Sequence, residues 1–231
     1  MGDTPNLIKL SIVKNIYLLT ILSIIFSSCI KKECQISGRY NFEIPVTLSP
    51  TREIYNIGDT ITIISSFSEE VYDRNTDRYY ALTDFSFYPR MIIREISDTI
   101  TNEAALSNFD VLIDTIYNIS GFQYNSGGIS YLWQYNYQNN YYNLSCNLIA
   151  KNPGLFHFSY SSSLSTTGEH QEFEGKCPRT ANDATVVLNQ GASNNFYLVN
   201  ESPDPHYNEW MEGNPEARFH KHGGYCFRVV E

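Results

Sequence analysis

The sequence predicts an all-β protein, an antiparallel β-sandwich, and three observations carry that expectation. Apolar residues recur at every second position in one segment after another, which places them on one face of a strand. The residue types suit a pleated, half-buried backbone: 18 Tyr and 13 Phe stand beside many Ile, Val and Thr. Clusters of Asn, Gly, Pro and Asp separate the alternating runs at short intervals, as turns between strands do.

The elements follow in order. Phe42, Ile44, Val46 and Leu48 alternate up to Ser49-Pro50 and form a first strand. Ile57-Gly58-Asp59-Thr60 is a turn that leads into a strand from Ile61 to Phe67. Phe85 to Ile96 reads as a strand containing Pro89, which has no N–H for a ladder and so points to an edge or a bulge. Phe109, Val111 and Ile113 alternate with Asp110, Leu112 and Asp114. Further strands are expected from Leu155 to Tyr160, Thr185 to Leu188, Phe196 to Val199 and Tyr225 to Val230. Ser161 to His170 reads as a loop, and Ser202 to Gly224 as a long irregular connection with one helical turn near Glu209-Trp210-Met211.

Ile129 to Ala150 says most about register. With Asn139-Asn140 as a two-residue hairpin turn, Tyr137 pairs with Tyr142, Tyr135 with Leu144, Trp133 with Cys146, Tyr131 with Leu148 and Ile129 with Ala150. All those pairs share one face, while Asn136 opposite Asn143 and Gln134 opposite Ser145 share the other. A slip of one residue would mix the two faces, so the pattern specifies its own register. The aromatic stripe with its apolar partners reads as core, leaving Tyr137 and Tyr141 at the hairpin tip as the residues a ligand would meet.

The first thirty residues have a different character. Lys9 and Lys14 form a basic lead, Asn15 to Ser28 is uncharged and mostly apolar, and small residues precede Cys29. That order is an export signal, and the run is shorter than the roughly 20 apolar residues of a membrane-spanning helix. Ile25-Phe26-Ser27-Ser28-Cys29 resembles the signal of bacterial lipoproteins, with Phe26 where that family prefers Leu. The resemblance implies a cleaved signal helix over 1–28, acylation (palmitate) at Cys29 and a tether over 29–36; the alternating body over 37–231 is then the β-sandwich, as one domain or two subdomains. It also implies a cell-envelope location. Asp does not follow the cysteine directly, which favours the outer membrane of a Gram-negative bacterium over inner-membrane retention.

Two short stretches resemble immunoglobulin-like sandwich domains. Tyr55-Asn56-Ile57-Gly58-Asp59-Thr60-Ile61-Thr62-Ile63 is similar to the start of an early strand of bacterial modules of that kind. Asn152-Pro153-Gly154-Leu155-Phe156-His157-Phe158 is similar to their late strand, and Trp133 opposite Cys146 to a tryptophan packed on a core cysteine. The fold implied is immunoglobulin-like or an elaborated variant, and a fold alone implies no function.

Charge and cysteines bound the function classes. The formal net charge is −9, and loss of residues 1–28 takes it to about −10, so nucleic acid is not an expected partner. Cys34, Cys146, Cys177 and Cys226 are an even set of disulfide candidates in an exported chain, with three pairings open. Asp73, Asn75 and Asp77 imitate the alternate oxygen ligands of a calcium loop, but Arg78 stands where that loop needs glycine; calcium is the nearest approach to a cofactor, and none is required. His220 and His222 flank Lys221 as a second metal candidate. The mature region holds no G-x-S-x-G, H-E-x-x-H or S-x-x-K pattern. The expectation is a lipid-anchored, non-enzymatic protein with a binding, adhesion or assembly role and a protein or glycan ligand. The alternative is an exported hydrolase or metal-dependent enzyme built on His206, His220 and His222.

Overall fold

The computed structural model describes residues 36, 38–96, 105–117, 120–123, 129–164 and 171–231. The signal segment 1–28, Cys29 and Cys34 lie outside the described residues, as does 165–170 of the Ser161 to His170 loop. Ile36–Glu231 is one compact unit.

Two sheets build it. The first runs in the order β10 (Asn136–Gln138), β11 (Tyr141–Ala150), β3 (Thr60–Ser68), β1 (Tyr40–Ser49), β4 (Glu70–Asp73), β5 (Arg78–Ala81), with β7 (Phe109–Ile113) beside β11 and β13 (Asn182–Leu188) beside β1. The second runs β2 (Ile54–Asn56), β14 (Tyr225–Val230), β12 (Gly154–Ser163), β6 (Tyr88–Glu95), β9 (Ile129–Leu132), β8 (Ser120–Gln123). The all-β, two-sheet expectation therefore holds. The pairing is antiparallel apart from β1 with β13 and β2 with β14, which are parallel. Those partners are far apart in sequence, so no tight turn dictates their direction.

Alternation explains the core. Tyr40, Phe42, Ile44, Val46 and Leu48 of β1 are buried in a row, and Met91, Ile93, Phe156, Phe158, Tyr160, Tyr225 and Phe227 of the second sheet join the same cluster. Phe109 of the first sheet meets Phe156 of the second edge to face, centroids 5.1 Å apart, in the geometry aromatic quadrupoles favour.

Several expectations need correction. The hairpin forms at its tip in the expected register, with Tyr137 opposite Tyr142 and Asn136 opposite Asn143. It stops there: residues 133–135 leave the ladder, and β9 pairs in the second sheet, Tyr131 with Met91 and Leu132 with Arg90. The vacated edge of β11 is taken by β7, which sets Ile113 against Cys146 and Phe109 against Ala150. Trp133 and Cys146 are both buried but are not ladder partners. Pro89 lies inside β6, an interior strand; it sits near the strand's start, opposite Ser162, and its carbonyl accepts from Trp133 N–H. Phe196–Glu201 is a 3-10 helix rather than a strand, entered through Asn194 and Asn195 in the left-handed region (φ 52° and 55°). The Ser202 to Gly224 connection holds an eight-residue helix, α1 (Pro205–Glu212), and a π-helical turn, Glu216–His220. Asp204 caps α1 by accepting from His206 N–H, and Pro205 begins it.

These C-terminal turns lie on the second sheet's outer face. Ile96, Leu155, Leu198, Val199, Met211, Phe219 and Cys226 form a smaller cluster there. The four cysteines consequently do not make two bridges. Cys146 belongs to the inter-sheet core and Cys226 to this outer cluster, and both are free thiols. Cys177 is disulfide-bonded, with its partner outside the described residues.

The turn that ends the hairpin places Asn139 and Asn140 at φ 51° and 64°. A β-branched residue in that region costs roughly 1–2 kcal/mol, whereas glycine adopts it freely. Asn140→Val should lower unfolding stability by about that amount and Asn140→Gly should leave it unchanged or slightly raised, both read by urea denaturation.

Candidate functional site

Strand parity creates the site. Along β6, Met91 and Ile93 point into the core, so Arg90, Ile92 and Arg94 stand on the outer face. Along β12, Phe156, Phe158 and Tyr160 point inward, so His157, Ser159 and Ser161 stand on the same outer face. The ladder sets Arg94 opposite His157, Ile92 opposite Ser159 and Arg90 opposite Ser161. Over these rows, Trp210 and Met211 of α1, Arg218 of the π-helical turn and His222 complete a pocket of about 240 Å³.

Among the described residues its lining contains three arginines, two histidines and no carboxylate. Arg218 donates to the Trp210 carbonyl and lies over the Trp210 ring, 5.0 Å from its centroid. Arg90 donates to Ser130 Oγ across 3.4 Å. Arg94 has neither an ion pair nor a hydrogen bond among the described residues. Trp210 is 51% exposed at the mouth.

His157 is the buried member, 1% exposed. Its Nδ1 lies 2.8 Å from the Tyr207 hydroxyl, its ring stacks on Phe219 at 5.2 Å, and its Nε2 is buried without a hydrogen-bond partner. Burial, with the Arg94 and His222 charges behind it, drives its pKa from 6.5 down to about 3. The ring is therefore neutral at physiological pH. His222 is also held below its ordinary value, first by desolvation and then by the Lys221 charge.

The sequence-derived candidates are scattered by comparison. Asp73 is buried, with its carboxylate accepting from the Asn41 and Thr76 N–H groups and the Thr76 hydroxyl. Asn75 donates to the Arg39 carbonyl, and Asp77 accepts from the Tyr72 hydroxyl 2.8 Å away, so the three side chains serve three different neighbours. His220 packs against Phe196 and Phe219, while His206 is exposed at the start of α1; of the three C-terminal histidines, His222 lines the pocket. Tyr137 donates to Glu69, and Tyr141 is 52% exposed at the hairpin tip. A second hollow of about 360 Å³ on the first sheet is lined largely by Pro45, Val46, Phe67, Val71, Tyr72 and Tyr79. Sequence reasoning passed over His157, although its place between Phe156 and Phe158 in an alternating run already put it on the non-core face.

No protein-family model matches the chain, and no curated protein matches it in sequence. Among solved structures it is similar to a type II cohesin domain from the cellulosome of Acetivibrio cellulolyticus, at 9% identity and a TM-score of 0.28, covering 62% of this chain and 91% of that one. It is also similar to the second type II cohesin module from the cellulosomal adaptor ScaA scaffoldin of the same organism, at 12% identity and a TM-score of 0.30, covering 62% and 92%. The function is accordingly argued from this chain's own residues.

Two outcomes follow from the burial of these groups. The unfolded chain takes up a proton at His157 near pH 6.5, whereas the folded one resists until about pH 3. His157 therefore contributes nothing to the pH dependence above 6.5 and lowers stability as pH falls through that window, by at most about 1.4 kcal/mol per unit. His157→Gln should flatten the acid limb of a stability-versus-pH curve. Burial also raises the thiol pKa of Cys146 to about 12 and pushes up that of Cys226. Neither should react with a thiol reagent at pH 8 until denaturant is added.

Proposed function

We propose that this chain is an exported, lipid-anchored protein of the cell envelope, seated in the outer membrane of a Gram-negative bacterium, whose β body binds a ligand without transforming it. The observation that carries the binding role is the buried, unpartnered Nε2 of His157, a residue that lines the pocket. Leaving such a group unpaired costs about 1–3 kcal/mol, and a ligand that meets it recovers that cost.

The anchor rests on the basic–apolar–small–cysteine order that ends at Cys29. The disulfide at Cys177 supports export, because such bonds persist in oxidising compartments. It also supplies a constraint. The chain has five cysteines and two of them are free, so on this reading, in which an acylated Cys29 has no thiol to give, Cys34 is the expected partner of Cys177. The hydrolase alternative is not favoured, since His206, His220 and His222 serve different surroundings.

Wild-type protein should incorporate labelled palmitate and partition into detergent, and Cys29→Ser should do neither. Non-reduced peptide mapping should recover a Cys34–Cys177 peptide. A Cys29–Cys177 peptide would overturn the anchor. Crystals soaked in a mixture of small polar fragments should show one bound against His157 Nε2.

A further inference from the structure

We infer that the ligand held in this pocket carries a tetrahedral oxyanion, a sulfate or a phosphate monoester, gripped by Arg94 and His157. The inference rests on the reading of the pocket as the binding site and names the chemistry that site selects.

The donor set is the first argument. Arg94 offers a forked guanidinium, and among the described residues no acidic partner takes it up. Arg218 adds positive charge, its guanidinium bonded to the Trp210 carbonyl and to no carboxylate among the described residues, and the described lining of the pocket holds no acidic side chain. This concentration of positive charge sits in a chain of net charge −9, so it is a local feature with a local cause. His157 supplies the second argument. The Tyr207 hydroxyl has no other acceptor among the described residues, so we assign it as the donor to Nδ1, which puts the proton of the neutral ring on Nε2, a buried atom of a residue that lines the pocket. A neutral, dry N–H beside a guanidinium suits an anion's oxygen and offers nothing to a cation.

Geometry separates tetrahedral anions from planar ones. The donors arrive from β6 (Arg90, Arg94), from β12 (His157, Ser159, Ser161) and from the C-terminal segment (Arg218, His222), that is, from the floor and from the covering side. A carboxylate presents two oxygens in one plane, whereas a sulfate or phosphate ester presents three free oxygens pointing apart. The volume of about 240 Å³ falls below that of pockets for drug-sized molecules, so it suits an ionised group whose bearer extends past Trp210 into solvent.

The chain provides its own reporter. Of its two tryptophans, Trp133 is fully buried in the core and Trp210 stands at the pocket mouth. Titrations of the full mature lipoprotein in detergent, at constant ionic strength and pH 8, would follow Trp210 emission with methyl sulfate, methyl phosphate and acetate. Saturable binding of either tetrahedral anion, at least tenfold tighter than acetate, is the expected result, and whichever binds tighter names the source. Arg94→Gln should weaken it tenfold or more with the far-ultraviolet spectrum unchanged; Arg218→Gln, whose guanidinium already donates to the Trp210 carbonyl, should weaken it less, and the distant Arg52→Gln not at all. Acetate binding as tightly as the esters, or Arg94→Gln binding like wild type, overturns the inference. The fragment soak tells the two failures apart: neutral fragments at His157 with no tetrahedral anion would end the oxyanion assignment and leave the site standing. A pocket that takes up neither would end both.

Discussion

The arrangement hangs on a buried chain of hydroxyls that ties the two sheets together. Ser65 of β3 donates to the Pro45 carbonyl at 2.7 Å and meets the Tyr135 hydroxyl at 2.8 Å, and Tyr135 meets the Tyr160 hydroxyl of β12 at 3.0 Å. Burial holds the Tyr135 hydroxyl up at about 12, so the phenol stays protonated and the chain stays neutral. Polar groups in a dry interior are tolerated only in specific geometry, and this one requires Tyr160 to face inward. Once Tyr160 faces in, the pleat sends His157, Ser159 and Ser161 out. A shift of β12 by one residue would bury the serines and expose Phe156 and Phe158, at a cost in apolar burial that the core would not survive.

The same constraint explains why residues 133–135 leave the hairpin. Tyr135 leaves the β10–β11 ladder and meets Tyr160 of the second sheet, and the crossing lets β9 extend that sheet at β6. Trp133, fully buried within that crossing and 6.2 Å from Tyr160 between ring centroids, fills the space the departing strand leaves. The pocket floor gains a neighbour as a result: β9 pairs with β6 at Arg90 and Met91, so β6 is an interior strand there, while β12 pairs with it along its whole length.

Much of this was legible in the residues. The alternation of Phe42 to Leu48, the turn at Gly58, and the sorting of Tyr137, Tyr142, Leu144, Cys146, Leu148 and Ala150 to the buried face were readable because period-2 patterning depends on burial alone. The change of sheets at Trp133 was not, because side-chain parity continues unbroken through it; only the hydrogen-bond partner changes, and pattern carries no partner information. Phe196 to Val199 misled for a related reason: four apolar residues fit a strand or a helical turn equally well, and the left-handed Asn194 and Asn195 decided it. α1 could have been found from Asp204-Pro205. The pocket was hidden in plain alternation. His157, Arg90 and Arg94 occupy non-core positions that ordinarily mean solvent, and only the C-terminal segment folding back over them turns an exposed face into an enclosed one.

That enclosure is built with little room to spare. A Cβ on Gly224 would lie 2.6 Å from the Phe219 ring, and one on Gly223 would lie 2.7 Å from Val186, so the chain returns to β14 as close to its neighbours as backbone allows. Phe219 is thereby pressed flat against His157, which dries one face of the imidazole while Tyr207 takes its Nδ1. Arg94, directly across the ladder, opposes protonation of the ring. Desolvation and the neighbouring positive charges thus act in one direction, and together they hold His157 in a single protonation state across the physiological range. A histidine held this way presents a fixed dipole instead of a titrating charge. It is carried on β12, a strand paired with β6 on one side and β14 on the other, so the sheet itself sets the position of the ring.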